Sequence, residues 1–191
     1  MWKGGAALSV FELIFILVTI FWLAEFFIFR NDRSDGGDQE RRSFPLIFII
    51  VVLTVGSSLG LREGAVGITT ARWVWWTGLI LYASGTALRY WGILHLKEQF
   101  TRNVAVRKGD RLVSSGPYRL LRHPLYTGLF FIVVGFCLGT GNVYPAVLFG
   151  ILITVALLHR IRLEEAMLTK EHGEMYREWC GKRYRFIPFV Y

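Results

Sequence analysis

The chain has 191 residues, of which 53% are hydrophobic and 16% aromatic, more apolar surface than a water-soluble core of this size can hide. The formal charge of +8 comes from basic residues set between the apolar runs with no nucleic-acid motif, so lipid headgroups account for them and nucleic acid is excluded as a partner. Two cysteines, Cys137 in an apolar run and Cys180 in a basic tail, supply neither a disulfide framework nor a CxxC metal site.

The first apolar run, residues 8–29, is too long for a signal-peptide core and precedes no small-residue cleavage site, so it reads as a retained transmembrane helix. Residues 30–43 mix four arginines with four acids around Gly36 and Gly37 and read as a loop in water. A second run, 44–61, carries Gly56 and Gly60 at i and i+4, small residues expected to let helix backbones approach in lipid. The third, 73–94, opens on Trp73, Trp75 and Trp76, whose rings favour the headgroup boundary. After a polar segment, 95–125, the chain is apolar from Tyr126 to Leu158 except at Gly139-Thr140-Gly141-Asn142, which reads as a hairpin turn. Its arms of about 13 and 16 residues are short for full spans, and two short helices are favoured over a re-entrant hairpin. The helical pattern then continues from His159 into water, and Pro188 ends regular structure.

Lysine and arginine bias sets the expected orientation. Residues 30–43 hold four, 95–125 seven and 159–191 seven, whereas the 139–142 turn holds none and the 61–72 connection two. Five spans satisfy these counts, with the N-terminus outside and the C-terminus in the cytoplasm. The expected fold is an all-α integral membrane protein of about five transmembrane helices, the last two a short helical hairpin, with a cytoplasmic cofactor site. It is one membrane domain over 1–191, with an N-terminal two-helix segment at 1–72 and a core at 73–191. Neither large polar segment is long enough for a Rossmann domain, so both must grip any nucleotide-like cofactor together. The Gly139-Thr140-Gly141 turn follows no strand and is no dinucleotide loop.

Unusual residues are densest from Ser115 to Gly128. Pro124 suits the first turn of the following helix and leaves other N–H groups free to face a ligand, and a carboxylate there meets the positive end of the helix dipole. Arg122, His123 and Tyr126 add charge, an imidazole and a phenol, suited to an amino acid joined to adenosine. Composition leaves an interfacial anchor equally open. In the second constellation, Arg160 and Glu164 stand at i and i+4 on one helix face, with Glu165 beside them. Residue types alone favour a solvated helix exit with a surface ion pair. Glu25 and Arg89 lie inside apolar runs and are candidates for a substrate role or for pairing with each other. His95, His159 and His172 have no zinc-ligand spacing, and no metal is expected.

The string GPYRLLRHPLYTG, an apolar hairpin, then EEAML, HGEMY and RYRFIPF in order, resembles the isoprenylcysteine carboxyl methyltransferase family and its relatives among the phospholipid N-methyltransferases, from about Gly85 to Phe189. That resemblance implies a membrane enzyme using S-adenosylmethionine at the cytoplasmic face, with a lipophilic methyl acceptor entering from among the membrane lipids. It places Asp110, Arg111, Leu112, Val113, Tyr118, His123, Pro124, Leu125, Tyr126 and Glu164 around the cofactor, with Arg107 as a further contact, and Arg160 toward the substrate. Leu96 and Lys97 depart from the family pattern, where a glycine commonly follows the leucine, which bears on substrate identity.

A sulfonium methyl is already activated, so such a site need only align a nucleophile and exclude water. Arg160 would orient an isoprenylcysteine carboxylate. A phospholipid ethanolamine, the alternative acceptor, must first lose a proton, to Glu164 or Glu165. A membrane sterol-type reductase shares an arginine-histidine motif, but the proline after His123 favours the transferase. A non-catalytic scaffold leaves the ordered motifs unexplained.

Overall fold

The structure, a computed structural model, describes residues 8–29, 43–97, 100 and 111–187. Within these the chain is helical and forms no strand. Helix α1 (Val10–Ile28) starts where Ser9 and Glu12 form a reciprocal capping box. It is followed by α2 (Ser43–Glu63), α3 (Arg72–Leu96), a 3-10 turn (Gly116–Arg119), α4 (Pro124–Gly139), α5 (Val143–His172) and α6 (Glu174–Cys180). The loop expected at 30–43 lies outside the described residues apart from Ser43, which opens α2, as do Arg107, Asp110 and Pro188.

Three helices are long and apolar enough to cross a membrane among the described residues: Val10–Ile28, Pro45–Glu63 and Val143–His172. At 16 residues α4 is about 24 Å long, short of the roughly 30 Å hydrocarbon layer. The 30 residues of α5 reach about 45 Å, so its last turns project beyond that layer. The two hairpin arms are therefore unequal, because the apolar run ends at Leu158 while the hydrogen-bonded helix does not.

The closest packing joins α3 to α4, and glycines permit it. A Cβ on Gly85 would stand 2.5 Å from the Gly128 carbonyl oxygen, and one on Gly135 2.4 Å from the Tyr82 nitrogen. In lipid such backbone approach replaces the hydrophobic drive that joins helices in water. Gly56 and Gly60, expected to serve this purpose in α2, do not: a Cβ on either meets nothing within 4 Å. The i,i+4 spacing marks a small-residue face, but among the described residues no partner helix lies on it.

Helix α1 packs on α3, and α2 packs on α4 and α5, so the two N-terminal helices do not close on each other along their length. Tyr82 anchors the α1 contact. Its ring lies 5.3 Å from Phe15 and 6.0 Å from Trp22, and its hydroxyl donates to Thr19 at 3.2 Å. Nearer the opposite end of α1, Glu25 is buried and accepts from Arg89 Nε at 2.8 Å and from a second guanidinium nitrogen. The two charges set in apolar runs therefore pair, as ionisable groups in such settings usually do.

Candidate functional site

The glycines and prolines of 115–128 turn the chain sharply. Gly116 has φ +56 and sits so near His95 that a Cβ would come 2.5 Å from the imidazole, a position for glycine alone. Pro117 is the second residue of the 3-10 turn, and Pro124 is the first residue of α4 with His123 as its N-cap. No side chain caps this N-terminus.

The C-terminal tail ties the turn down. Leu121 pairs with Tyr184, the Arg122 N–H donates to the Tyr184 carbonyl at 2.8 Å, and the Tyr184 N–H donates to the Leu120 carbonyl at 2.9 Å. The Arg122 guanidinium donates to the carbonyls of Arg183 and Cys180 at 3.1 and 3.0 Å and reaches Glu165 at 3.4 Å. Arg183 in turn donates to the Tyr118 carbonyl at 2.6 Å. Arg122, grouped with the ligand-facing residues on composition, thus holds the tail and also lines the cavity described below.

On this frame His123 and Tyr126 stack, with ring centroids 5.6 Å apart and planes at 19°. The Tyr126 hydroxyl accepts from Arg160 Nε at 3.0 Å and donates to Glu164 Oε2 at 2.7 Å. Both α5 residues face the same partner because they are one turn apart. Arg160 is only 4% exposed, so the solvated helix exit favoured by residue type is corrected: the α4 N-terminus covers it. His123 lies between two carboxylates, with Nδ1 3.7 Å from Glu164 and Nε2 3.3 Å from Glu165.

The adjacent acids differ in setting. Glu165 meets Arg122, His123 and, at 2.6 Å, Arg185, and it does not line the cavity described next. Glu164 does line it. Of the two acids weighed as a base for an amine acceptor, only Glu164 faces the site.

A cavity of about 1660 Å³ joins this cluster to the space between α1 and α2. Its polar end is lined by Arg111, Leu112, Val113, Tyr118, His123, Leu125, Tyr126, Arg160 and Glu164, all expected from sequence. Pro124 is fully buried behind this wall, and Arg107 and Asp110 lie outside the described residues. Burial, and after it the Glu164 carboxylate, holds the Tyr118 phenol well above its ordinary pKa, so its hydroxyl stays protonated. Tyr176 and Trp179, stacked with centroids 5.8 Å apart, also line this end and were not singled out. Tyr176 closes the HGEMY motif, read only as part of the resemblance, and Trp179 lies one helical turn beyond it. The other limb is apolar, with Phe15, Trp22, Val52, Val55 and Leu59 among its walls, and Glu25 and Arg89 stand in the lining as well.

Residues 77–170 match the model of the Isoprenylcysteine carboxyl methyltransferase (ICMT) family. Over those residues the chain is similar to that family. Protein-S-isoprenylcysteine O-methyltransferase B of Arabidopsis thaliana is 30% identical over 121 residues, 61% of each chain, so this chain spans about three fifths of that ICMT relative's length. A solved structure described as the eukaryotic intramembrane Ras methyltransferase ICMT (isoprenylcysteine carboxyl methyltransferase) without a monobody superposes with a TM-score of 0.70 at 21% identity, covering 94% of this chain and 65% of the other. The integral-membrane ICMT fold thus extends over nearly all of this chain. A Delta(14)-sterol reductase of Ascobolus immersus is also similar, 31% identical over 101 residues, but these are 52% of this chain and only 22% of the reductase.

Proposed function

We propose that the cavity is the active site of an S-adenosylmethionine-dependent methyltransferase acting on the carboxylate of an isoprenylcysteine-like lipid. The observation that carries this reading is the continuity of one space from a cluster of titratable side chains into an apolar limb between helices. An acceptor with a polar head and a long hydrocarbon tail needs that combination. Ligand pockets are usually about 300–1,000 Å³, so the space has room for a donor and an acceptor together.

The polar end fits the donor. An uncapped helix N-terminus at His123 favours a carboxylate, Glu164 offers acceptors for an ammonium or hydroxyls, and Tyr118, Tyr126, Tyr176 and Trp179 offer apolar faces to a purine. We assign Arg111, Leu112, Val113, Tyr118, His123, Leu125, Tyr126 and Glu164 to this role, with Pro124 shaping the wall. When bound, the donor supplies a sulfonium methyl that a carboxylate oxygen takes in one in-line displacement, leaving a thioether.

The protein's part is alignment. Arg160 holds the acceptor carboxylate by charge-assisted hydrogen bonds, and Tyr126 fixes the angle of that guanidinium through its hydroxyl. A carboxylate has no proton to lose, so no base is required. With an ethanolamine acceptor Glu164 would have to take a proton while also serving the donor. On this reading 73–191 carries the chemistry, and α1 and α2 supply the outer wall of the tail limb. The basic segments support a polar end in the cytoplasm and an N-terminus outside.

Equilibrium binding of S-adenosylmethionine and of reduced nicotinamide dinucleotide to the detergent-solubilised protein tests the reading, since likeness to a sterol reductase supports a reductase as the second possibility. Saturable binding of S-adenosylmethionine alone is expected. Binding of the nicotinamide alone would replace the transferase with the reductase.

A further inference from the structure

Gly56 opens onto the apolar limb of the cavity, and the space a side chain there would occupy is empty to 4 Å. Sequence spacing assigned this glycine to helix packing, yet no helix rests on it. The limb runs along α1 from Glu25 to Glu12, about 20 Å at the α-helical rise. Toward this end its lining includes a partly exposed charged pair, with Arg62 3.8 Å from Glu12 and its guanidinium 5.7 Å over the Trp75 ring. Gly56 stands about 9 Å along α2 from Arg62, so its missing side chain keeps the deeper part of the limb open.

We propose that this limb gauges the tail length of the methyl acceptor, with Gly56 admitting the long end of a polyisoprenoid-type chain and the Glu12–Arg62 pair closing the limb beyond it. The inference rests on the transferase reading of the site. Hydrocarbon gains nothing by meeting a charged pair, so the pair sets the longest tail that fits without desolvating it. Other walls of the deep half are largely apolar, Phe15, Val55 and Leu59 among them, and the hydroxyls of Thr19 and Thr140, which also line the cavity, already donate to backbone carbonyls. Selection there is by length alone.

The test has two arms on the full chain in detergent. In the first, methyl transfer is measured to N-acetyl cysteines bearing geranyl, farnesyl or geranylgeranyl thioethers, for the unaltered protein, Gly56→Leu and Gly60→Leu. Gly60 also has open space around it but does not line the cavity. Gly56→Leu should lower the ratio of kcat/KM for the geranylgeranyl over the geranyl acceptor by about tenfold or more, a usual size for steric rejection in an apolar pocket. Gly60→Leu should leave the ratio in place. An unchanged ratio in Gly56→Leu, or an equal fall in both variants, would overturn the proposal.

In the second arm the geranylgeranyl acceptor carries a photoreactive group at the far end of its tail, and its attachment sites are mapped by mass spectrometry. The unaltered protein should be labelled at the depth of Phe15 and Leu59, and Gly56→Leu should move the label toward Glu25. Failure to label the deep half in the unaltered protein would overturn the length gauge even where methyl transfer is observed. Deep labelling without methyl transfer would retain the gauge and remove the transferase reading.

Discussion

The Tyr126 hydroxyl donates to Glu164 Oε2 at 2.7 Å, joining the first turn of α4 to the emerging end of α5. The same oxygen accepts from Arg160, so one phenol sets the positions of two charged α5 side chains that line the cavity. Tyr126→Phe keeps the ring stacked on His123 and removes only this link. It should weaken S-adenosylmethionine binding by about tenfold, the loss expected for one hydrogen bond to a charged group. Calorimetry on a variant whose melting temperature is unchanged checks this.

Arg160 and Glu164 should separate acceptor from donor. Arg160→Ala should lower single-turnover methyl transfer at least about a hundredfold with donor affinity nearly intact, and Lys should rescue poorly because an ammonium lacks the planar fork. Glu164→Ala should weaken donor binding itself. Donor affinity and single-turnover rate, measured in one detergent, distinguish the two.

Glycines of the α3–α4 contact should behave differently from those of α2. Gly85→Ala places a methyl against the Gly128 carbonyl and should destabilise by about 1–3 kcal/mol. Gly56→Ala meets open space and should be neutral, or stabilising by up to about 1 kcal/mol through helix propensity. Thermal unfolding of the two variants in one detergent gives the comparison.

Much of this site was legible in the chain. The Gly-Pro and His-Pro steps of 116–124 admit few backbone paths, and the i,i+4 spacing of Arg160 and Glu164 survives any packing that keeps α5 helical. Burial of Arg160, the commitment of Arg122 and Glu165 to the tail, and the empty space beside Gly56 were not legible. Each depends on which element, 20 to 80 residues distant, comes to lie opposite, and periodicity within one helix does not contain that. The turn after α4 illustrates the point: Thr140 and Asn142 read as part of a hairpin turn, and the spacing did not show that both are 1% exposed or that Asn142 donates to the Ser58 carbonyl at 3.0 Å.

Burial of Asn142 also decides how orientation should be measured. Tyr144, 80% exposed at the start of α5, is the better site for a single cysteine in a background lacking Cys137 and Cys180. With the N-terminus outside, an impermeant thiol reagent on intact cells should label Tyr144→Cys and spare Arg177→Cys. The reverse pattern would invert the topology.

Methyl transfer itself is the most direct measurement. Purified protein is incubated with S-adenosylmethionine labelled in its methyl group and a farnesyl cysteine derivative, and the extracted product is treated with mild base. A carboxyl methyl ester releases its label as volatile methanol, whereas a methylated amine retains it. Base-labile label that appears with the farnesyl acceptor, and falls to background in Arg160→Ala, is the expected result. Base-stable label formed instead on added phosphatidylethanolamine, or no transfer to either acceptor by protein that binds the donor, would contradict carboxyl methylation.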